Sequence, residues 1–347
     1  MLYVTTRSRE ETFTASIPLS ENRAPDGGFF VPIQMPRFDR REIKAMGEKS
    51  FSQNVAEILN LLFQTQLDSW AVDFGIGRHP VRLVNVSGRA VIAETWHNPS
   101  WNFQRLAKSV EKMIRQSDQI SSVPTDWLMI GSRIAVLFGI FGDMMRKGEA
   151  GIDNPLDVVV LVGDFSAPMA AWYARGMGLP VGNVLCCCNE NDGCWNFLHK
   201  GEIRCDAPVV QTTTPNCDHA VPEGLERLIS HTLGYREIDR FQYAVCEGIS
   251  YYLEPDQLQK MQEGLQASVV GRQRLEWAIL NLYRTNGYVS DPYAALCYSG
   301  LMDYRARTGQ TQPAVILSEE SPLYSLPYLA KSMGIRTDEL KKRLDNI

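Results

Sequence analysis

Two loops in this sequence carry residue types that could do chemistry. The first consists of Gly163, Asp164, Phe165, Ser166 and Ala167. It lies between an unbroken apolar run, residues 158–162, and a segment with helical periodicity that has Pro168 near its start. A strand that leads through a glycine-containing loop into a helix gathers free backbone N–H groups, and phosphates or carboxylates bind at such points. The loop is therefore a candidate anion or phosphate site. The alternative is an ordinary turn in which Ser166 is the N-cap of the helix.

The second loop, residues 97–104, is the other half of a candidate pocket. Its members are His97, Asn98, Ser100, Trp101 and Gln104, to which Asn189 and Ser318 are added from elsewhere in the chain. Ser100 is a plausible N-cap for a helix that runs to Arg115. His97 could act as a base, although a single histidine in a loop is more often structural.

Composition restricts the class of protein. The chain has 347 residues, an apolar fraction of 44% and a net charge of −5, which favours a globular fold and gives no reason to expect a nucleic-acid partner. The most apolar stretch, residues 127–145, is interrupted by Ser132, Arg133 and Asp143, so it predicts a buried helix and no membrane segment. The N-terminal residues do not show the basic segment followed by an apolar segment that is typical of a signal peptide, and we predict a cytoplasmic protein.

The eight cysteines do not form a metal-binding pattern. Three of them, Cys186 to Cys188, are consecutive in an apolar run, and no C-x-x-C pair occurs anywhere. Zinc sites usually use closely spaced pairs. Buried free thiols are therefore expected, and no metal.

Strand and helix patterns alternate along the chain, which predicts an α/β fold with a mostly parallel sheet and helices on both faces. Residues 81–86 and 90–95 should form a hairpin. Further strands are predicted at 158–162, 183–188 and 314–318. Helices are predicted at 50–63, 100–115, 126–147, 222–233, 239–247, 256–266, 273–285 and 291–308.

Several motifs, in order, resemble those of threonine synthase, an enzyme of fold type II that depends on pyridoxal phosphate. They are YVTTR at 3–7, APDGGFFVP at 24–32, ETWHNPSWNFQRL at 94–106, GDFSAPMAAWYARGMGLP at 163–180, NEND at 189–192, TTTPNCD at 212–218 and DPYAA at 291–295. The resemblance implies a fold like the large domain of threonine synthase and of the tryptophan synthase β chain. We predict an N-terminal region at 1–90 and an α/β core domain at 91–347.

The departures from the family pattern concern its chemistry. Gln104 occupies the position of the lysine that, in the family, forms the Schiff base, and an amide cannot do so. The family's small domain is absent between 105 and 157, so the lid over the site is expected to be missing. Asp164 replaces the asparagine of the phosphate loop. In the segment 319–324, which resembles the family's Thr-Ala-His-Pro-Ala-Lys, both basic groups are lost and two acids, Glu319 and Glu320, appear.

These departures favour a pseudoenzyme kept for binding or regulation, with no cofactor. One alternative is an active lyase that holds pyridoxal phosphate on Lys108, one helical turn after Gln104, and acts on a phosphorylated or hydroxylated amino acid. Another is a small-molecule enzyme of different chemistry in the same cleft. The partners expected are a small anionic metabolite or a protein. The flank exposed by the missing small domain should be covered by the helix at 127–141 or by a homodimer interface.

Overall fold

The computed structural model describes residues 1–78, 80–96, 102–116 and 123–345. The strands are β1 Leu2–Thr5, β2 Phe13–Thr14, β3 Phe30–Pro32, β4 Arg82–Val86, β5 Ala90–Glu94, β6 Leu156–Leu161, β7 Val181–Cys188, β8 Glu202–Arg204, β9 Ser250–Tyr252, β10 Leu265–Val269 and β11 Ala314–Ser318. The helices are α1 Ser16–Ser20, α2 Arg40–Met46, α3 Phe51–Phe63, α4 Ser69–Ile76, α5 Phe103–Arg115, α6 Asp126–Arg146, α7 Ser166–Gly176, α8 Gly193–Lys200, α9 Leu225–Leu233, α10 Arg236–Glu247, α11 Pro255–Met261, α12 Arg272–Asn286, α13 Pro292–Thr308, α14 Leu326–Met333 and α15 Thr337–Leu344.

A six-stranded sheet with the order β10-β7-β6-β11-β5-β4 organises the fold. The five strands from β10 to β5 are parallel to their neighbours, and β4 is antiparallel to β5 at the edge. Such central strands are buried on both faces, which explains the unbroken apolar run at 158–162. The predicted mostly parallel sheet and the hairpin are confirmed.

Helices cover both faces of the sheet and produce two apolar clusters. One cluster contains α3, α6 and α7, and the other contains α12 to α15. Along β7, Cys186 and Cys188 point into the first cluster and Cys187 into the second, as the alternation of a strand requires. All eight cysteines are free thiols, and six of them are buried.

Helix α6 is the central helix of the first cluster. It is long and apolar enough to cross a membrane by composition, but most of it is buried inside the fold, as predicted. Between Arg105 and Asp157 the described residues form α5, α6 and the start of β6. The deletion of a small domain at this place and the boundary at residue 90 stay predictions.

Three sequence predictions are wrong. Residues 256–266 were expected to be one helix, but α11 ends at Met261 and Leu265 begins the edge strand β10. Asn102, not Ser100, caps α5, because its side chain accepts a hydrogen bond from the Arg105 N–H. Ser166 is the first residue of α7 and not its N-cap.

Candidate functional site

A cleft of about 260 Å³ opens at the carboxyl ends of β6 and β11, between the first turns of α5 and α7. Ligands of open α/β sheets bind in such crevices. The polar side chains that line it are those of Gln104, Arg133, Asp164, Asn216, His219, Tyr293, Glu319 and Glu320. The cleft therefore brings together Gly163, Asp164 and Ala167 of the loop, Gln104, and the two acids after β11.

The loop at 163–167 is a tight turn that its own carboxylate closes. Gly163 and Phe165 have φ of +46° and +74°, in the left-handed region, and these values turn the chain from β6 into α7. Asp164 Oδ1 accepts hydrogen bonds from the Ser166 N–H, at 2.9 Å, and from the Ser166 hydroxyl. Pro168 has no N–H, so among the first three residues of α7 only Ala167 offers a backbone donor to a ligand. The Asp164 carboxylate therefore already uses one of the backbone donors at the start of α7.

Among the described residues, Arg133 is the single arginine that lines the cleft, and it is already paired. Its guanidinium donates two hydrogen bonds of 2.7 Å to the carboxylate of Glu319 and one of 3.0 Å to Ser166 Oγ. It also lies 4.5 Å from the centre of the Phe103 ring. Burial alone would lower the pKa of Arg133, but the charge and hydrogen bonds of Glu319 outweigh it and raise the pKa. Arg133 thus joins α6 to α5, α7 and the end of β11.

Glu320 and Asp291 are carboxyl groups whose surroundings disfavour the ionised form. Burial, together with the charges of Asp291 and Glu319, raises the pKa of Glu320 to about 7. Burial raises the pKa of Asp291 to about 6, against hydrogen bonds from Ser318 and from the first N–H groups of α13. The cleft is therefore dominated by carboxylates, since Arg133 neutralises only Glu319.

Ser318 and Asn189 have structural partners and do not line the cleft. Ser318 Oγ donates to Asp291 Oδ2 at 2.7 Å and accepts from Trp96 Nε1 at 3.1 Å. The Asn189 amide donates to Thr212, Thr214 and Asp218, and its oxygen accepts from Asn191. This second network holds the segment 212–218 against the end of β7, beside Asn216 and His219.

The remaining predicted residues divide into three groups. Gln104 lies in the first turn of α5 and faces the cleft. Lys108 is half-buried one turn later and is not among the lining residues. His97, Asn98, Ser100 and Trp101 lie outside the described residues.

Comparison with known proteins shows what this chain is similar to. Residues 2–73 match the family model "Threonine synthase N terminus". Over 159 residues the chain is 27% identical to threonine synthase-like 1 of Homo sapiens. The chain is thus similar in sequence to threonine synthases and to threonine synthase-like proteins. This confirms the resemblance on which the sequence predictions rested.

The similarity to threonine synthases differs in extent between sequence and structure. The alignment with the human protein covers 44% of this chain and 21% of the relative, and an alignment with threonine synthase of Eremothecium gossypii, 28% identical, covers 37% and 25%. The sequence match thus spans about a fifth to a quarter of these relatives. The structure of pyridoxal phosphate-bound threonine synthase from Brucella melitensis matches with a TM-score of 0.84 at 18% identity, over 96% of this chain and 92% of that one. Yeast threonine synthase matches with a TM-score of 0.83 at 18% identity, over 100% and 94%. These structural matches show that this chain shares the fold of the two threonine synthases.

Sequence reasoning did not place Arg133, Asn216, His219 and Tyr293 in this cleft. Arg133 carried the clearest indication, because an arginine in the middle of an apolar helix must find a partner for its charge. The partner, Glu319, is 186 residues away in the sequence. No periodicity or spacing predicts a contact of that kind.

Proposed function

We propose that this chain is a non-catalytic threonine synthase-like protein that forms no Schiff base with pyridoxal phosphate and is kept for binding or regulation. The observation that carries the proposal is Gln104. It faces the cleft at the position that resembles the family's lysine, and no lysine lines the cleft within the described ranges. An amide nitrogen is not nucleophilic, so the covalent link to the cofactor is lost.

The charge of the cleft supports the same proposal. A phosphate would have to approach Asp164, whose carboxylate already uses the Ser166 N–H at the start of α7. Two like unit charges about 4 Å apart repel by about 1 kcal/mol in water and by about 4 kcal/mol at an effective dielectric of 20. Arg133 could attract the phosphate, but its charge is already balanced by the ion pair with Glu319. The residues present do not fit pyridoxal phosphate.

Purified protein incubated with pyridoxal phosphate, reduced with borohydride and mapped by peptide mass spectrometry tests the proposal. We expect no shifted absorbance and no reduced adduct on any lysine. An adduct on Lys108 that disappears in the Lys108→Arg variant would refute the proposal and support the active lyase. Labelling of many surface lysines that is unchanged in that variant would reflect non-specific modification. In that case the absorbance spectrum decides whether the protein binds the cofactor.

A further inference from the structure

A second cavity, of about 890 Å³, lies away from the cleft at the open edge of the large sheet. We call it the edge groove, and it is lined in part by Arg78, Leu83, Val84, Lys147 and Tyr288. Leu83 packs against the apolar cluster on one face of the sheet, whereas Val84 and Tyr288 pack against the cluster on the other. One cavity can touch both faces only where the sheet ends. The edge groove meets the first half of the edge strand β4, at Arg82 to Val84, and the segment that follows β11, at Ser321 to Leu323; Asn85 lies further along the same edge.

The hydrogen-bond pattern shows which residues of β4 face this groove with their backbone. The Thr95 N–H donates to the Ser318 carbonyl and the Ala314 N–H donates to the Arg89 carbonyl, so odd-numbered residues along β5 bond to β11. Even-numbered residues of β5 therefore bond to β4, and the register pairs them with Arg82, Val84 and Val86.

It follows that Leu83 and Asn85 direct their N–H and C=O groups outward. No backbone or side-chain hydrogen bond involves either N–H in the part of the chain that the structure describes. A row of unpaired backbone groups is a template for a further strand.

The lining of the groove has a small excess of positive charge, with four basic side chains against three acidic ones, Asp73, Glu94 and Asp143. Asp73 accepts a hydrogen bond from the Ser52 hydroxyl. Arg82 is paired with Glu94, and Arg146 with Asp143. Arg78 and Lys147 have no acidic partner within 4.0 Å among the described residues. This basic rim stands out on a chain whose net charge is −5.

We propose that the edge groove binds an extended, acidic peptide segment of another protein, which adds to β4 as a seventh strand. Strand addition to a free edge gives affinity through main-chain hydrogen bonds and specificity through side-chain contacts. Leu83 and Asn85 supply the hydrogen bonds, and Arg78 and Lys147 select acidic side chains. A second copy of this chain is the poorer occupant, because a two-fold interface would bring the same unneutralised cations of both copies together.

The probe is a fluorescein-labelled hexapeptide of alternating glutamate and valine, and its binding is followed by fluorescence anisotropy. One control peptide has lysine in place of glutamate. A second keeps the glutamates but has alternate amides N-methylated, so it retains the charge and cannot form the strand ladder. We expect binding of the first peptide only, with protection of the Leu83 and Asn85 amides from hydrogen exchange in the complex.

The double variant Arg78→Glu/Lys147→Glu should lower the affinity at least about tenfold, since each reversed rim charge turns attraction into repulsion. Its matched control is Lys260→Glu/Lys331→Glu, which makes the same change of charge at exposed positions outside the groove and should leave the affinity unchanged. Equal loss in both double variants, equal binding of the N-methylated peptide, or no binding would overturn the proposal. A dimeric mass in ultracentrifugation that the groove variant converts to a monomer would assign the groove to a second copy instead.

Discussion

Replacing Glu320 with glutamine should stabilise the protein at pH 8 and have a much smaller effect at pH 5. The side chain lies in the cleft beside Asp291 and Glu319, and its pKa is raised to about 7. In the unfolded chain a glutamate titrates near its ordinary value, 4.5. Between these two values the folded state holds more protons than the unfolded state, so the free energy of unfolding falls as the pH rises through this window. Glutamine cannot ionise, so the Glu320→Gln variant does not lose this stability as the pH rises.

The magnitude follows from the size of the shift. About 2.5 pKa units at 1.36 kcal/mol per unit give an upper limit of about 3.4 kcal/mol. Because the side chain is only partly buried, screening by solvent reduces this limit to about 1–2 kcal/mol. At pH 5 only about a quarter of that cost is present, since Glu320 is still largely protonated in the folded state.

The assay is urea denaturation of the wild type and of Glu320→Gln at pH 5 and pH 8. We expect the variant to gain about 1–2 kcal/mol at pH 8 and a few tenths at pH 5. Equal gains at the two pH values would assign the effect to packing. A loss of stability at pH 8 would show that Glu320 has a favourable partner, and the electrostatic reasoning about the cleft would be refuted.

Two further substitutions test the contacts that build the cleft. Glu319→Gln removes the charge that pairs with buried Arg133 and should lower the free energy of unfolding by about 2–3 kcal/mol at pH 8. This effect is opposite in sign to that of Glu320→Gln and is measured by the same urea denaturation. An unchanged denaturation midpoint would contradict the role of the pair. Asn189→Ala leaves several groups of the segment 212–218 without their donor and should cost about 2–3 kcal/mol and speed limited proteolysis there. Wild-type rates of cleavage in that variant would show that the segment is held by other contacts.

The sequence predicted most of the sheet because its strands have strong local patterns. The run at 158–162 is apolar throughout, and the turn at 87–89 separates two strand-like segments, so β6 and the β4–β5 hairpin were both expected. Strand β10 was missed because Leu265 to Val269 is short and continues the helix-like spacing of residues 256–262. Its pairing with β7, more than 80 residues away in sequence, overrides that local pattern.

The grouping of Gln104, Asp164 and Glu319 rests on the resemblance to threonine synthase motifs and not on local patterns. The structure places all three at one cleft, since the carboxyl ends of parallel strands meet at one edge of a sheet. Their partners could not be predicted in the same way. The ion pair of Arg133 with Glu319 and the use of Ser166 by Asp164 depend on side-chain geometry that only the folded chain defines.

We propose that the charge of Asp164, and not only the loss of a lysine, disfavours pyridoxal phosphate in the cleft. The direct measurement compares Gln104→Lys with the double variant Gln104→Lys/Asp164→Asn, each incubated with pyridoxal phosphate, reduced with borohydride and mapped for labelling at position 104. We expect the double variant to be labelled at least about five times more at a limiting cofactor concentration, which corresponds to about 1 kcal/mol of relieved repulsion. Equal labelling of the two variants would contradict the claim and leave the missing lysine as the whole explanation.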